Sequence, residues 1–286
     1  MLSKNKKIYF SKMHGLGNDF VVIDKINQNI PLSNNIIKKI SNRNTGIGFD
    51  QLLIVENPKK INCDFYYRIF NADGSEVAQC GNGARCFVYF LHLKKLTTKK
   101  KILVQTKYND MLIHYIDKKN IIVNMGHPKF NSNNVPKFKL KNFNLNVIKI
   151  NDIIIEFGTI FIGNPHCIIL VKDINNCSVN KIGRLLNNHI LFPEGINVNF
   201  VQIVSLNHIM LRVYERGVGE TRACGSGACA SVVHGIIQNI LQKKVIVTLL
   251  GGNLEIFWSG FGDSVYMKGP AEHVYDGYID INCFET

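Results

Sequence analysis

A chain of 286 residues, 46% of them hydrophobic, can bury a sizeable core in one large or two ordinary domains. No run approaches the roughly 20 apolar residues of a membrane span, and residues 1–7 read as no signal peptide, so a cytoplasmic protein without a membrane partner is expected, its eight cysteines reduced. A net charge of +13 raises nucleic-acid binding, but the lysines are scattered. No helix-turn-helix, RNP-type aromatic signature or basic zipper accompanies them, so no nucleic-acid partner is expected.

From the N-terminus, Ile8–Met13 and Phe20–Asp24 read as strands around Gly15-Leu16-Gly17-Asn18. Ser33 is the candidate cap of a short helix carrying Ile36, Ile37 and Ile40. A loop at Gly46–Gln51 precedes a strand at Leu52–Val55, and a β-rich stretch from Asp64 to Phe70 delivers the chain to Cys80-Gly81-Asn82-Gly83-Ala84-Arg85-Cys86. An apolar run of helical character, Phe87–Leu91, follows that stretch. Then Ile102–Thr106, Met111–Ile116 and Ile121–Met125 predict an antiparallel meander, and the polar segment 131–146 predicts a linker.

The second half repeats the plan. Cys224-Gly225-Ser226-Gly227-Ala228-Cys229 restates the first cysteine motif 144 positions later, and Arg212-Val213-Tyr214-Glu215 restates Arg68-Ile69-Phe70-Asn71 at the same interval. Gly163-Asn164-Pro165-His166 answers Gly17-Asn18-Asp19-Phe20, and Gly195-Ile196-Asn197 answers Gly48-Phe49-Asp50-Gln51. After the second cysteine helix, Val245–Leu250, a Gly251-Gly252 hairpin signal, Leu254–Trp258 and Ser264–Lys268 predict a second meander. A period this long predicts two β-rich domains, each with one central helix, rather than a solenoid. The expected bounds are 1–130 and 147–286, with part of the C-terminal tail able to pack back on the first domain.

Neither Gly-x-Gly stretch has the βαβ context of a dinucleotide site, and no Gly-Lys-Ser/Thr follows to make a P-loop. The cysteine spacings are not the paired C-x2-C of a zinc site, and no metal ligand is assigned. A cysteine before Gly-x-Gly at the mouth of a helix is different in kind. The unpaired N–H groups of a first turn hold anions, and the same positive end favours a thiolate. Two matched thiols suit a reaction symmetrical about one atom, such as inversion at an amino-acid Cα, where one base removes a proton and an acid returns one from the other face. Cys86 and Cys229 read as core; Cys63, Cys167, Cys177 and Cys283 read as structural or incidental. No pyridoxal-phosphate lysine motif is present, so no cofactor is expected.

These motifs together resemble the diaminopimelate epimerase family, across nearly the whole chain. Carriers include Gly15–Phe20, Gly48–Gln51, Asn71–Ser75, Cys80–Cys86, Gly163–His166, Glu215-Arg216-Gly217 and Gly219–Thr221 with Cys224-Gly225. The resemblance implies an α/β (α+β) fold of two pseudo-symmetric domains, each a β-barrel-like sheet around a central helix, with the active site in the interdomain cleft. It implies Cys80 and Cys224 as the acid–base pair that interconverts LL- and meso-diaminopimelate, a small-molecule substrate, with His166 and Glu215 modulating the thiol pKa values. Gly81, Asn82, Gly225 and Ser226 would hold the α-carboxylate and Glu215 the reacting amine. Asn18, Gln51, Asn71, Asn164, Asn197 and Arg216 would line the pocket and recognise the distal end of the substrate. A homodimer is implied by resemblance only. Arg222 and Ser226 depart from the family's usual hydrophobe and Thr. A proline or hydroxyproline racemase of the same two-thiol design is the alternative enzyme, and a basic nucleic-acid-binding protein the alternative outside enzymes.

Overall fold

The computed structural model describes residues 7–77, 80–130, 145–150 and 152–284, so most of the expected linker at 131–146 lies outside the described residues. The chain divides into two compact units, Met1–Val123 with Gly269–Thr286, and Asn124–Lys268.

The first unit runs β1 (Lys7–Gly15), β2 (Asn18–Asp24), α1 (Asn34–Ser41), β3 (Gln51–Glu56), β4 (Phe65–Asn71), β5 (Glu76–Val77), α2 (Gly81–Leu93), β6 (Lys101–Gln105), β7 (Asp110–Asp117) and β8 (Asn120–Asn124). Strands β1 and β2 form a hairpin, and β2 lies parallel to β3 through a crossover that contains α1. Strand β4 returns antiparallel to β3 and lies parallel to β6, with α2 in the second crossover, before β6, β7 and β8 complete the meander.

The second unit repeats these pairings with β9 (Asn146–Ile150), β10 (Ile153–Phe161), β11 (Pro165–Leu170), α3 (Val179–Asn187), β12 (Asn197–Ser205), β13 (His208–Glu215), β14 (Gly219–Thr221), α4 (Gly225–Ile237), β15 (Lys244–Leu249), β16 (Gly252–Phe257) and β17 (Tyr266–Gly269). Strands β10 and β11 are antiparallel, β11 is parallel to β12 across α3, and β13 is parallel to β15 across α4. The last strand, β18 (Glu272–Asp280), follows β17 in sequence yet pairs antiparallel with β1, while β9 takes the equivalent place on β10.

Burial explains why each half needs two helices. Strands β2 and β3 are apolar on both faces. Val21, Ile23, Leu52 and Ile54 alternate along them and pack with Ile36, Ile37 and Ile40 of α1, which Ser33 caps through its hydroxyl. The opposite face receives α2, which packs on β1, β2, β3 and β7. Its residues from Gly81 to Val88 are all buried, as befits an apolar helix enclosed by its own sheet. Helix α4 packs in the same way on β10, β11, β12 and β16. Among the described residues no helix is long and apolar enough to cross a membrane.

Three elements go beyond the sequence reading. Helix α3 is held by packing rather than propensity: Val179, Gly183 and Leu186 form its buried face, and Gly183 lies directly beneath the Tyr214 ring. Strand β10 runs unbroken from Ile153 to Phe161. Strand β18 is half-exposed and of mixed polarity, with no clean alternation along it, and it pairs with β1.

One core polar group yields a test. His234 of α4 is 1% exposed, and neither ring nitrogen has a hydrogen-bond partner among the described residues. Burial lowers its pKa to about 4. The unfolded chain therefore takes up a proton near pH 6.5 that the folded chain refuses until about pH 4, so this group costs stability progressively as pH falls through that window. Replacing His234 with Leu should leave stability at pH 7 unchanged or higher. It should also flatten the loss between pH 6 and pH 5 by up to about 1.4 kcal/mol per unit. Trp258, the only tryptophan and buried in the same unit, reports the transition by fluorescence in urea. An unchanged pH slope would contradict a neutral, unbonded His234.

Candidate active site

In each unit a short hairpin delivers the chain to a cysteine. Arg68 on β4 donates from Nε to Glu76 on β5 at 2.8 Å, and Arg212 on β13 donates from Nε to Glu220 on β14 at 2.6 Å. Both ion pairs are largely sheltered from solvent, and they pin the hairpins β4–β5 and β13–β14. Cys80 and Cys224 then take the extended backbone of an N-cap, and α2 and α4, 13 residues each, begin at Gly81 and Gly225.

The cap makes the thiol part of the helix mouth. Cys80 Sγ accepts the N–H of Gly83 at 3.3 Å and lies 4.0 Å from the Asn18 Oδ1 to which it can donate. Cys224 Sγ sits 3.6 Å from the Ser226 hydroxyl. Cys80 is half-buried, whereas Cys224 is 4% exposed. Burial pushes the Cys224 thiol well above the usual thiol range, the Glu215 carboxylate adds to the push, and Ser226 opposes it.

The second glycine of each motif is required by close approach. A Cβ at Gly83 would overlap the Tyr67 hydroxyl, and one at Gly227 would overlap Asn199 Oδ1. A polar side chain from the sheet presses on each helix mouth, leaving no room for a side chain there.

In the first unit Asn18 is the hub. Its Nδ2 donates to Asp50 at 2.9 Å, while its Oδ1 accepts from Asn82 Nδ2 at 3.5 Å and faces Cys80. Asp50 is shared with Arg43, which also forks onto Asp19. Burial works to raise the Asp19 carboxyl, but hydrogen bonds from Arg43 and Lys12 overcome it and hold the group far below the usual carboxylate range. Gln51 and Asn71, opposite one another on β3 and β4, bond side chain to side chain at 2.9 Å, and Asn71 donates onward to Ser75.

In the second unit His166, fully buried on β11, bonds Asn164 Oδ1 through Nε2 at 2.8 Å and Asn199 Nδ2 through Nδ1 at 3.1 Å. Burial lowers its pKa to about 3, so the ring is neutral at physiological pH. Asn197 ties two loops: its Nδ2 donates to the Pro165 carbonyl, and its Oδ1 accepts the backbone N–H of Arg216. The Arg216 guanidinium donates to the Glu194 carbonyl at 2.9 Å, and Thr221 donates to Glu215 at 2.5 Å.

The structure thus brings Asn18, Cys80 and Asn82 together in one unit, and Glu215, Cys224 and Ser226 in the other. His166 bonds amides rather than a cysteine. Sequence reasoning missed Asn199, Tyr67 and Thr221. Asn199 left a signal, being an amide flanked by Val198, Phe200 and Val201 in a strand run, where a buried polar residue asks for a partner. Among the described residues no group of three or more His, Cys, Asp and Glu gathers to hold a metal.

Comparison with known proteins gives the same outline. The family profile described as diaminopimelate epimerase matches residues 10–131 and 158–274. A protein named diaminopimelate epimerase from Buchnera aphidicola subsp. Baizongia pistaciae (strain Bp) is 54% identical over 280 residues, covering 98% of each chain. Its namesake from the subspecies Acyrthosiphon pisum (strain 5A) is 55% identical over 279 residues, covering 96% of this chain and 97% of the relative. Among solved structures, a probable proline racemase from Agrobacterium radiobacter K84 superposes with a TM-score of 0.71 at 13% identity, covering 97% and 94% of the two chains. A hydroxyproline epimerase from Agrobacterium vitis, with trans-4-hydroxy-L-proline bound, superposes at 0.68 with 12% identity, covering 96% and 92%. At such identities these two carry the fold alone, one of two pseudo-symmetric halves. The family profile and the near full-length relatives carry more: this chain is an isomerase of the diaminopimelate epimerase family.

Proposed function

We propose that this chain interconverts LL- and meso-diaminopimelate in amino-acid biosynthesis, without a cofactor, by exchanging a proton at Cα between Cys80 and Cys224. The observation that carries the reading is the placement of those two cysteines as N-caps of equivalent 13-residue helices, 144 positions apart in a duplicated chain.

The chemistry follows from the groups present. The first-turn N–H groups at Gly81 and Asn82, and at Gly225 and Ser226, take the α-carboxylate, into which charge flows when the Cα proton leaves. Glu215 takes the α-ammonium. That ammonium also neutralises the carboxylate that pushes the Cys224 thiol upward, so substrate arrival eases formation of the thiolate. One thiolate removes the proton, breaking the C–H bond and leaving its electron pair on the Cα–carboxylate system. The other thiol delivers its own proton to the opposite face, which inverts the centre and leaves the second sulfur as the thiolate. Asn18, Gln51, Asn71, Asn164, Asn197 and Arg216 recognise the distal amino-acid end, with the guanidinium fork of Arg216 on its carboxylate. His166, neutral because it is buried, acts on this site through amides rather than as a cation.

We place the protein in the cytoplasm, bound to neither membrane nor nucleic acid. We also place it in a homodimer, a reading favoured by the β1–β18 surface, where Tyr9, Val274, Tyr275 and Tyr278 are exposed.

Replacing Cys80 or Cys224 with Ala should lower epimerisation by at least ~10²–10⁴-fold with the fold retained, as expected when an acid–base group is lost. Activity on purified diaminopimelate isomers, followed by chiral separation, checks this. Turnover near wild type in either variant would refute the pair. Arg216→Met tests the substrate. It should leave the thiols competent yet lower kcat/KM on diaminopimelate at least about tenfold, the scale of one lost charge-assisted hydrogen bond. Assays of both enzymes on diaminopimelate and proline decide the matter: brisk wild-type turnover of proline, indifferent to Arg216, would favour the racemase alternative.

A further inference from the structure

Asn199 is a buried polar group that the proposed reaction leaves unused. It lies fully buried on β12, and its partners fix which way its amide points. Nδ2 lies 2.9 Å from the Cys167 carbonyl, a group that only accepts, so the nitrogen must be on that side. The same nitrogen is 3.1 Å from His166 Nδ1. An amide nitrogen only donates, so Nδ1 must be the unprotonated acceptor and the ring proton must sit on Nε2. From Nε2 that proton is donated to Asn164 Oδ1 at 2.8 Å. With its oxygen taken, Asn164 is left to offer its two amide N–H donors.

We propose that Asn199 is a positioning residue: it locks His166 as the neutral Nε2–H tautomer and, through that ring, turns the Asn164 amide so that it presents donors to an anionic group of the substrate. The inference rests on the assignment of Asn164 to substrate binding, but its tautomer arm does not. Burial supports a neutral ring, and neither a carboxylate nor a cation contributes to the shift of His166. The lock also accounts for Gly227, since Asn199 Oδ1 occupies the space its Cβ would need at the mouth of the Cys224 helix. The counterpart of Asn164 in the other unit is set the opposite way. Asn18 gives its nitrogen to Asp50 and keeps its oxygen towards Cys80 and Asn82.

Nitrogen-15 NMR of the full chain with labelled histidine tests the lock directly, and it needs no variant beyond His166→Gln to assign the signal. The expected spectrum has a protonated Nε2 and an unprotonated Nδ1 at His166, unchanged from pH 8 to pH 5. A proton on Nδ1, or titration to the imidazolium within that range, would overturn the proposal whatever substrate the enzyme prefers. The consequence for binding is read in Asn199→Leu, similar in size but unable to donate. Its His166 signal should lose the single-tautomer signature, and KM for diaminopimelate should rise about tenfold while kcat stays within about threefold, the pattern of lost ground-state binding. An unchanged KM in a folded Asn199→Leu variant would overturn the link to Asn164. Should that variant not fold, the wild-type spectrum still decides the lock.

Discussion

The backbone N–H groups of a first helical turn cannot bond within the helix, and burying them without partners is costly. Here the first turns of α2 and α4 are buried inside their sheets, and on the proposed mechanism they also receive the substrate carboxylate. Both halves place an N-cap cysteine, two glycines and a polar side chain from the sheet at this point, Tyr67 against Gly83 and Asn199 against Gly227, and in the first half the Cys80 thiol also accepts the Gly83 N–H. Everything upstream serves this mouth. The hairpins pinned by Arg68–Glu76 and Arg212–Glu220 aim the chain into the cap, and the parallel pairings β4–β6 and β13–β15 make the helix cross the sheet at that point.

Duplication gives two such mouths, but it does not make them chemically equal. Cys80 is half-buried and bonded to the helix N–H of Gly83, with a neutral amide oxygen beside it. Cys224 is nearly inaccessible and lies under the influence of the Glu215 carboxylate, which corresponds to Asn71 in the first half. An amino-acid substrate is itself unsymmetrical, with an ammonium on one side of the reacting carbon and a carboxylate on the other. A strictly symmetrical site would serve it poorly. On the proposed mechanism, the exchange of Asn71 for Glu215 and the opposite settings of Asn18 and Asn164 are the local changes that suit a repeated scaffold to it.

Much of this was legible in the sequence because it rests on local chemistry. The cysteine motifs, the Ser33 cap and the meander strands are written in short-range patterns, and the interval of 144 exposed the duplication. What was not legible depends on distant partners. Helix α3 needs the Tyr214 ring over Gly183, and β18 carries no clean alternation of its own and takes its place by pairing with β1. The role of Asn199 needs the Cys167 carbonyl and the His166 ring at once, a geometry that spacing along the chain does not encode. His166 shows the same limit from the other side. Its loop marked it as a site residue, but its neutrality comes from burial, which only the fold reveals.

The central claim is that two separate monoprotic groups, one per half, act on opposite faces of a single carbon. The most direct measurement is the fate of deuterium when LL-diaminopimelate is converted in deuterated water and stopped after the first few per cent of reaction. If one thiolate removes the proton and the other thiol supplies a deuteron, the meso product carries one deuterium at the inverted centre and the recovered substrate carries almost none. Label appearing equally in recovered substrate and product, or product retaining the substrate's own hydrogen, would mean that a single group serves both faces, and the two-thiol mechanism would fail.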